Sequence, residues 1–440
     1  MAEAVAPPTL PTEPGALRAV LQAGLPGFAD GSRRIVSLQV ERLRRSSSRR
    51  RYPHPLTLTM AIEVEDRAAS RRGVQRLYGK TWRAGTGAQA WAALDHASLA
   101  PAAFADPVAH LPAHDLLVWA WPNDPGLPQL PALADAARLW WQLPAAARAG
   151  AQGVDHVQAV RWEPEQRATL RATLQADTPR MLWGKTFATA RAPALQARFA
   201  AAQHAAQHQA GAARVADTLG IDATGHTLWQ ADAGCQPLAA QASPPCFAAA
   251  GRALACLHAL PVSAAMAVRA VHDPAACLAD ARQRAHKIAR VQPALAARAA
   301  ALVDTLARRA ATLPPPSMTL VHGDCHVDQF GWDEATGQVV LFDFDEFALG
   351  DPMQDLAAFV TRWPANGSGT PSAAACRHAL LQAYAEAAPA WWHPAWLQWQ
   401  RALQALLQAT RAFVFQVPGW ADALAARLCE AEALAQGAPA

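Results

Sequence analysis

His322-Gly-Asp324-Cys-His326-Val-Asp328-Gln329, Asp343-Phe-Asp345 and Gly350-Asp351-Pro-Met-Gln-Asp355-Leu-Ala357 hold nearly all the reactive side chains of this 440-residue chain. The first stretch follows Met318-Thr-Leu-Val321, an apolar run that reads as a short strand. The second ends another strand, Gln338-Val-Val-Leu341, with a turn over residues 333–337 between them. Loops that follow short strands bring polar groups together without a buried helix to hold them.

Few protein groups are needed for phosphoryl transfer: a carboxylate to orient the attacking hydroxyl, oxygen ligands for Mg²⁺, and a cation on the nucleotide phosphates. Asp324, the pair Gln329 and Asp343, and a strand lysine can fill those roles. Gln and Asp offer hard oxygens, which suit a Mg²⁺ that retains several waters. His322, Asp324, His326 and Asp343 could alternatively hold zinc in a metallohydrolase. That reading lacks a third histidine at useful spacing and leaves residues 350–357 unexplained.

Outward from this centre the pattern is helical. Residues 248–260, 274–291 and 293–313 have helical spacing, and helices resume from Met353 to the end. Upstream the chain reads as β-rich and repeats itself. Val36, Leu38 and Val40 alternate; Leu56 to Val64 alternates again; a third strand ends in Leu77-Tyr-Gly-Lys80-Thr-Trp82. A helical stretch from Ala88 and a strand over residues 116–121 follow. The same order recurs over residues 154–160, 168–174 and Leu182-Trp-Gly-Lys185-Thr-Phe187, then a helix over 192–208 and a strand near 226–229. The two hexapeptides stand 105 residues apart. The expected organisation is a flexible Pro- and Ala-rich leader (1–30), a β-rich module (31–150) that duplicates the next one (151–245), and a helical part (246–440).

Composition narrows the classes. Of the 39 Lys and Arg, only Lys80, Lys185 and Lys287 are lysine, so two of the three occupy the same place in the two modules. Arg and Pro interrupt every apolar run before the roughly 18 residues that span a bilayer. Met1-Ala-Glu-Ala-Val-Ala-Pro-Pro8 lacks the charged and apolar regions of a signal peptide. Seven cysteines, with no C-x-x-C pair, suggest reduced thiols in a cytoplasmic protein. A formal charge of +4 does not suggest nucleic acid, and the Arg- and Ser-rich stretch 44–51 reads as a solvated loop. No membrane partner is expected.

The three stretches together, H-G-D-x-H-x-x-Q, D-F-D and G-D-P-x-x-D-L-A, resemble the aminoglycoside phosphotransferase / choline kinase family. Residues 250–260, Gly251-Arg-Ala-Leu-Ala-Cys-Leu-His258 included, resemble the first helix of that family's carboxy-terminal lobe, and the likeness covers about 151–440. It implies an α+β, bilobal protein-kinase-like fold, with a β-rich amino lobe and a helical carboxy lobe carrying the catalytic hairpin. Here an extra amino-lobe-like domain would precede it. It also implies an ATP- or GTP- and Mg²⁺-dependent kinase acting on a small-molecule hydroxyl. Asp324 would then be catalytic with His322 bracing its loop, Gln329 (where the family usually has Asn) and Asp343 would hold the metal, and Lys185, 139 residues before Asp324, would bind the nucleotide phosphates. Asp351 and Asp355 would brace the loop and cap the next helix, and His326 would be a loop histidine bonded to backbone.

Several features depart from that pattern. Neither module has a Gly-rich loop. Arg161-Trp-Glu163-Pro-Glu165-Gln-Arg167 carries two glutamates, poor for cradling phosphate, whereas Arg45-Ser-Ser-Ser-Arg49 looks better suited to an anion. The helix after Lys185 has no Glu to pair with it, only glutamines such as Gln196 and Gln203. These departures admit a second reading, a catalytically weak pseudokinase that binds a nucleotide or ligand. Lys80 reads as a structural relic or a second ligand site, and Lys287 as a surface residue. Residues 362–440 carry few carboxylates (Glu386, Asp422, Glu430, Glu432) and many tryptophans, which could stack on a sugar or build core. A polycationic aminoglycoside is therefore disfavoured against a sugar-like or amino-alcohol acceptor.

Overall fold

The structure, a computed structural model, describes residues 10–45, 56–82, 85–208, 213–261, 271–363, 372–415 and 417–437. Helix α1 (Pro14–Gly24) leads into strands β1 (Arg33–Arg45), β2 (Leu56–Asp66) and β3 (Arg71–Thr81), a short helix α2 (Gly87–Ala92), β4 (Val108–Leu111) and β5 (Leu116–Ala120). They form a five-stranded antiparallel sheet in the order β1-β2-β3-β5-β4. The alternation of β2 buries Leu56, Leu58, Met60, Ile62 and Val64 on one face. Leu17 and Leu21 of α1, with Leu10, Leu25 and Phe28, close that face. Residues 10–30 are thus part of a packed core, not the flexible leader expected. Much of the Arg- and Ser-rich stretch, including the Arg45-Ser-Ser-Ser-Arg49 anion loop, lies outside the described residues.

The second module runs β6 (Gly153–Glu163), β7 (Arg167–Gln175), β8 (Arg180–Phe187), α3 (Ala192–His208), β9 (Ala213–Val215), β10 (Thr218–Ile221) and β11 (Thr227–Ala231). Its sheet order, β6-β7-β8-β11-β10, matches the first strand for strand. Register agrees as well. The β1–β2 pairing shifts after Ile35 and after Val40, and the β6–β7 pairing after Val154 and after Ala159. Lys80 pairs across β3 with Thr57 and Leu117; Lys185 pairs across β8 with Thr169 and Leu228. The glycine before the second lysine has a packing cause: a Cβ on Gly184 would meet the Trp229 ring at 2.6 Å.

The remainder comprises β12 (Gln236–Pro237), α4 (Pro244–His258), β13 (Val271–His272), α5 (Pro274–Val291), α6 (Ala296–Thr312), β14 (Thr319–Val321), β15 (Phe330–Asp333), β16 (Gln338–Leu341), β17 (Ala348–Gly350), α7 (Met353–Arg362), α8 (Ser372–Ala387), α9 (Pro394–Gln408), α10 (Arg411–Val414) and α11 (Trp420–Gln436). The hairpin β15–β16 extends into a sheet ordered β12-β15-β16-β9, in which β9 of the second module pairs in parallel with β16. One core runs from Phe187, Leu195 and Phe199 of that module through α4 to α11, whereas the first sheet has its own core. The fold is α+β, with a β-rich lobe on a helical lobe and a second β-rich unit before them. Trp396 and Trp399 are buried, their indoles donating to the carbonyls of Pro314 and Leu306, so these tryptophans build core. None of the seven cysteines is in a disulfide. No helix among the described residues is long and apolar enough to cross a membrane.

Candidate active site

Gly323 makes the site loop possible. Its φ is 83°, and a Cβ there would lie 2.1 Å from the Glu346 carbonyl oxygen, so only glycine lets the loop after β14 pack on the segment after β16. Asp355, buried in the first turn of α7, accepts from the backbone N–H groups of His322 (2.6 Å) and Gly323 (3.0 Å). His258 Nε2 of α4 lies 3.1 Å from the same carboxylate, and its Nδ1 is 2.8 Å from the Tyr384 hydroxyl. Burial opposes ionisation of Asp355, yet the hydrogen bond and charge of His258, with these donors, hold its carboxyl below the usual range. Asp351 accepts from the Met353 N–H (3.0 Å) and from Gln400 (3.2 Å), and burial pushes its carboxyl up to about 6. The bracing and capping anticipated for Asp355 and Asp351 is what their contacts do. His322 Nε2 sits 2.7 Å from the Phe342 carbonyl and so ties the first loop to the second.

Four of the residues singled out in the sequence, Lys185, Asp343, Gln329 and Asp324, fall in one set joined through His326, and His322 stands behind it on the Phe342 carbonyl. Lys185 Nζ lies 2.6 Å from Asp343 Oδ1, which the backbone presents in the left-handed region at φ 56°. Asp343 Oδ2 is 3.4 Å from the Gln329 amide nitrogen, which is 3.2 Å from His326 Nε2. His326 Nε2 in turn lies 3.9 Å from Asp324 Oδ2. Burial opposes the charge on Asp343, but Lys185, with Arg167 and His322 behind it, outweighs burial and keeps the carboxyl far below its ordinary value. His326 bonds Gln329 and faces Asp328 at 3.3 Å rather than binding backbone, and burial together with Arg362 lowers its imidazole to about 4. With its ring committed to the Phe342 carbonyl, His322 does not converge with Asp324 and His326 as a zinc ligand set would require.

The departures noted in the sequence have structural answers. Lys185 is also 2.9 Å from Asp345 Oδ2, so the second Asp of D-F-D supplies, from the other lobe, the carboxylate that α3 lacks. Arg167 reaches Asp345 at 2.5 Å, and Arg198 of α3 donates to the Asp345 backbone oxygen at 2.6 Å. Neither glutamate of the 161–167 hairpin leaves it acidic. Glu163 accepts from Arg42 (2.8 Å), Arg161 (2.6 Å) and Arg167 (3.1 Å). Burial of Glu163 is overcome by these three cations, which lower it to about 2 and offset its charge. Glu165 leaves the second module altogether: it accepts from Lys80 Nζ at 2.8 Å and from the Tyr78 hydroxyl at 3.0 Å. The hairpin enters the first module closely enough that a Cβ on Gly126 would lie 2.5 Å from Glu165 Cα.

The roles of Asp345 and of four cations escaped the sequence reading. Arg362, the last residue of α7, lies 2.5 Å from Asp324 Oδ1. Arg411 of α10 stands near both, stacked on Phe415 at 5.1 Å, and Arg42 of the first module approaches the same ring at 6.0 Å. Lys287, expected as a surface residue, is half-buried beside Arg284, Arg44, Arg42 and Arg290; burial first, then these cations, lower its ammonium to about 8. The doubled Asp of D-F-D was a usable signal for Asp345; no local pattern pointed to the others.

Residues 174–392 match the model of the phosphotransferase enzyme family, APH, and through that region the chain belongs to that family. It is a kinase-type enzyme, a phosphotransferase. No curated protein matches the chain. Among solved structures it is similar to a macrolide 2'-phosphotransferase type I at 18% identity, covering 69% of this chain and 96% of that one with a TM-score of 0.45. It is likewise similar to an aminoglycoside phosphotransferase in ternary complex with ADP and hygromycin B (16% identity, 65% and 96% covered, TM-score 0.46). A choline/ethanolamine kinase family protein from Mesorhizobium loti aligns at 18% identity, covering 60% and 84%, with a TM-score of 0.41.

Proposed function

We propose that the chain transfers the γ-phosphoryl group of ATP or GTP to a hydroxyl of a small molecule, with Mg²⁺, in the cytoplasm. The observation that carries this reading is the 2.6 Å contact between Lys185 of the second sheet and Asp343 of the helical lobe, continuous through Gln329 and His326 with Asp324. Asp324 orients the acceptor hydroxyl and takes its proton, and His322 holds the loop that carries Asp324. Lys185 turns from Asp343 to the nucleotide phosphates. Asp343 offers hard oxygens that suit Mg²⁺, and Gln329, whose amide nitrogen faces Asp343 here, would turn its amide oxygen to the ion; the metal when bound would neutralise charge on the phosphates. Asp345 and Arg167 keep the lysine in place, which answers the features that motivated the pseudokinase reading. The arginines beside Asp324 favour a sugar-like acceptor over an aminoglycoside, and on the same electrostatic ground over an amino alcohol.

Residues 31–150 are in this reading an internal duplicate of 151–245, supported by the shared strand order, bulge spacing and lysine register. The duplicate's lysine now secures the hairpin that stands where the family's nucleotide loop would lie. Titration of the protein with Mg·ATP tests the site. Binding in the micromolar to millimolar range, weakened at least about tenfold in Lys185→Met (about 1.4 kcal/mol), agrees with it. Absence of binding at millimolar Mg·ATP would leave the pseudokinase or another activity in its place.

A further inference from the structure

Arg362, which ends α7, lies against Asp324, and Arg411, which opens α10, stands near both. Arg284 of α5 bonds Thr410, immediately before Arg411, at 2.5 Å, and Lys287 lies one turn further along α5. Arg42 joins them from the first module over the Phe415 ring. Among the described residues, neither Lys287 nor Arg411 has a carboxylate within ion-pair distance, and the one carboxylate that Arg362 touches is the proposed base itself. Arg284, Lys287 and Arg362 are half-buried, and Arg411 is exposed beside them; half-buried like charges repel, and such a cluster is stable at little cost only where an anion completes it. Lys185, Arg167 and Arg198 already gather at Asp343 and Asp345, on the proposed nucleotide side, so the cations on α5, α7 and α10 are additional to those.

Resting on the phosphotransferase reading above, the geometry points to an acceptor that carries an anionic group, a carboxylate or a phosphate, seated among Arg362, Arg411, Arg284 and Lys287 while its hydroxyl faces Asp324. The anion draws Arg362 away from Asp324, so the acceptor's own charge releases the base that its hydroxyl needs. In the transfer the hydroxyl oxygen bonds the γ-phosphorus, the bridging bond to the β-phosphate breaks with its electrons leaving on the nucleoside diphosphate, and the hydroxyl proton passes to Asp324. Cationic acceptors are repelled by the same groups. The lowered ammonium of Lys287 agrees with a cation crowded by cations, a crowding that a bound anion relieves.

The test uses the full chain saturated with a non-hydrolysable Mg·ATP analogue and titrated with inorganic phosphate, gluconate, glucose 6-phosphate, glucose and glucosamine. Inorganic phosphate is expected to bind, more weakly as salt is raised, and to lose at least tenfold in affinity in Lys287→Gln and in Arg411→Gln. The acid or the phosphate ester is expected to bind at least tenfold tighter than glucose or glucosamine, and the gap between the two anions tells carboxylate from phosphate. Affinity for the nucleotide analogue itself is expected to stay within twofold in both variants. The inference is overturned if phosphate does not bind, if the variants leave its binding unchanged, if glucose or glucosamine binds as well as the anions, or if the variants lose the nucleotide instead. Failure of wild-type protein to bind the Mg·ATP analogue at all would mark failure of the phosphotransferase reading rather than of this one.

Discussion

Removing the charge of Glu165 should loosen the hairpin from the first module by a measurable amount. Lys80 Nζ and Glu165 Oε1 are 2.8 Å apart, with side-chain exposures of 7% and 34%. Unit charges at that distance attract by about 6 kcal/mol at an effective dielectric of about 20, and by about 1.5 kcal/mol in bulk water. The lysine end lies near the first limit and the glutamate end near the second, where water screens the pair. Glu165→Gln retains an acceptor for Tyr78 but leaves the Lys80 ammonium without its counter-charge, so a loss of about 2 kcal/mol follows. Lys80→Met in the Glu165→Gln background should then cost much less than Lys80→Met alone, with a coupling of about 1–2 kcal/mol. Urea unfolding of the four proteins, followed by tryptophan fluorescence, gives that number. Coupling below about 0.5 kcal/mol would refute the idea that Lys80 was retained to hold the hairpin.

Other outcomes follow from single contacts. Gly323→Ala, facing both a φ of 83° and a 2.1 Å clash with Glu346, should cost at least about 2 kcal/mol and abolish transfer; a thermal melt within two degrees of wild type would contradict this. The His326 imidazole is lowered from 6.5 to about 4 by burial first and Arg362 second, so the unfolded chain takes up its proton before the folded one. The resulting stability is intact above pH 6.5 and is lost as the pH falls towards about 4, amounting to up to about 3 kcal/mol. Urea midpoints of His326→Gln should flatten across that window, and an unchanged slope would rule the group out. Asp351 has the opposite sign. Its carboxyl is raised to about 6, so the contribution is present below its usual value of 3.8 and lost as the pH rises through 6; Asp351→Asn should gain relative to wild type between pH 5 and 8.

What could be read from the chain was what repeats or clusters locally. Two hexapeptides around Lys80 and Lys185 anticipated sheets of the same order, and the alternation of Leu56 to Val64 gave the buried face of β2. The loop carrying His322, Asp324 and Gln329 and the strand ending at Asp343 were visible because short strands with polar ends have few other uses. Contacts between distant segments were not visible. Glu165 looked like a liability for phosphate because its partner, Lys80, is 85 residues away on another sheet. Lys287 looked superficial because the helix carries other polar residues and the cations of β1 that act on it, Arg42 and Arg44, are distant in the chain. Residues 10–30 looked loose because Ala and Pro dilute the spacing of Leu17, Leu21, Leu25 and Phe28.

The central claim is that phosphoryl transfer takes place at Asp324 with the nucleotide held by Lys185. Acceptor-dependent release of ADP, measured across hydroxylated sugars, sugar acids, sugar phosphates, amino alcohols and aminoglycosides, tests it most directly with Asp324→Asn as the comparison. Mg²⁺-dependent release is expected with at least one acceptor, reduced at least about a hundredfold in Asp324→Asn (about 2.7 kcal/mol in the barrier) while Mg·ATP still binds. Release that persists undiminished in Asp324→Asn would contradict it.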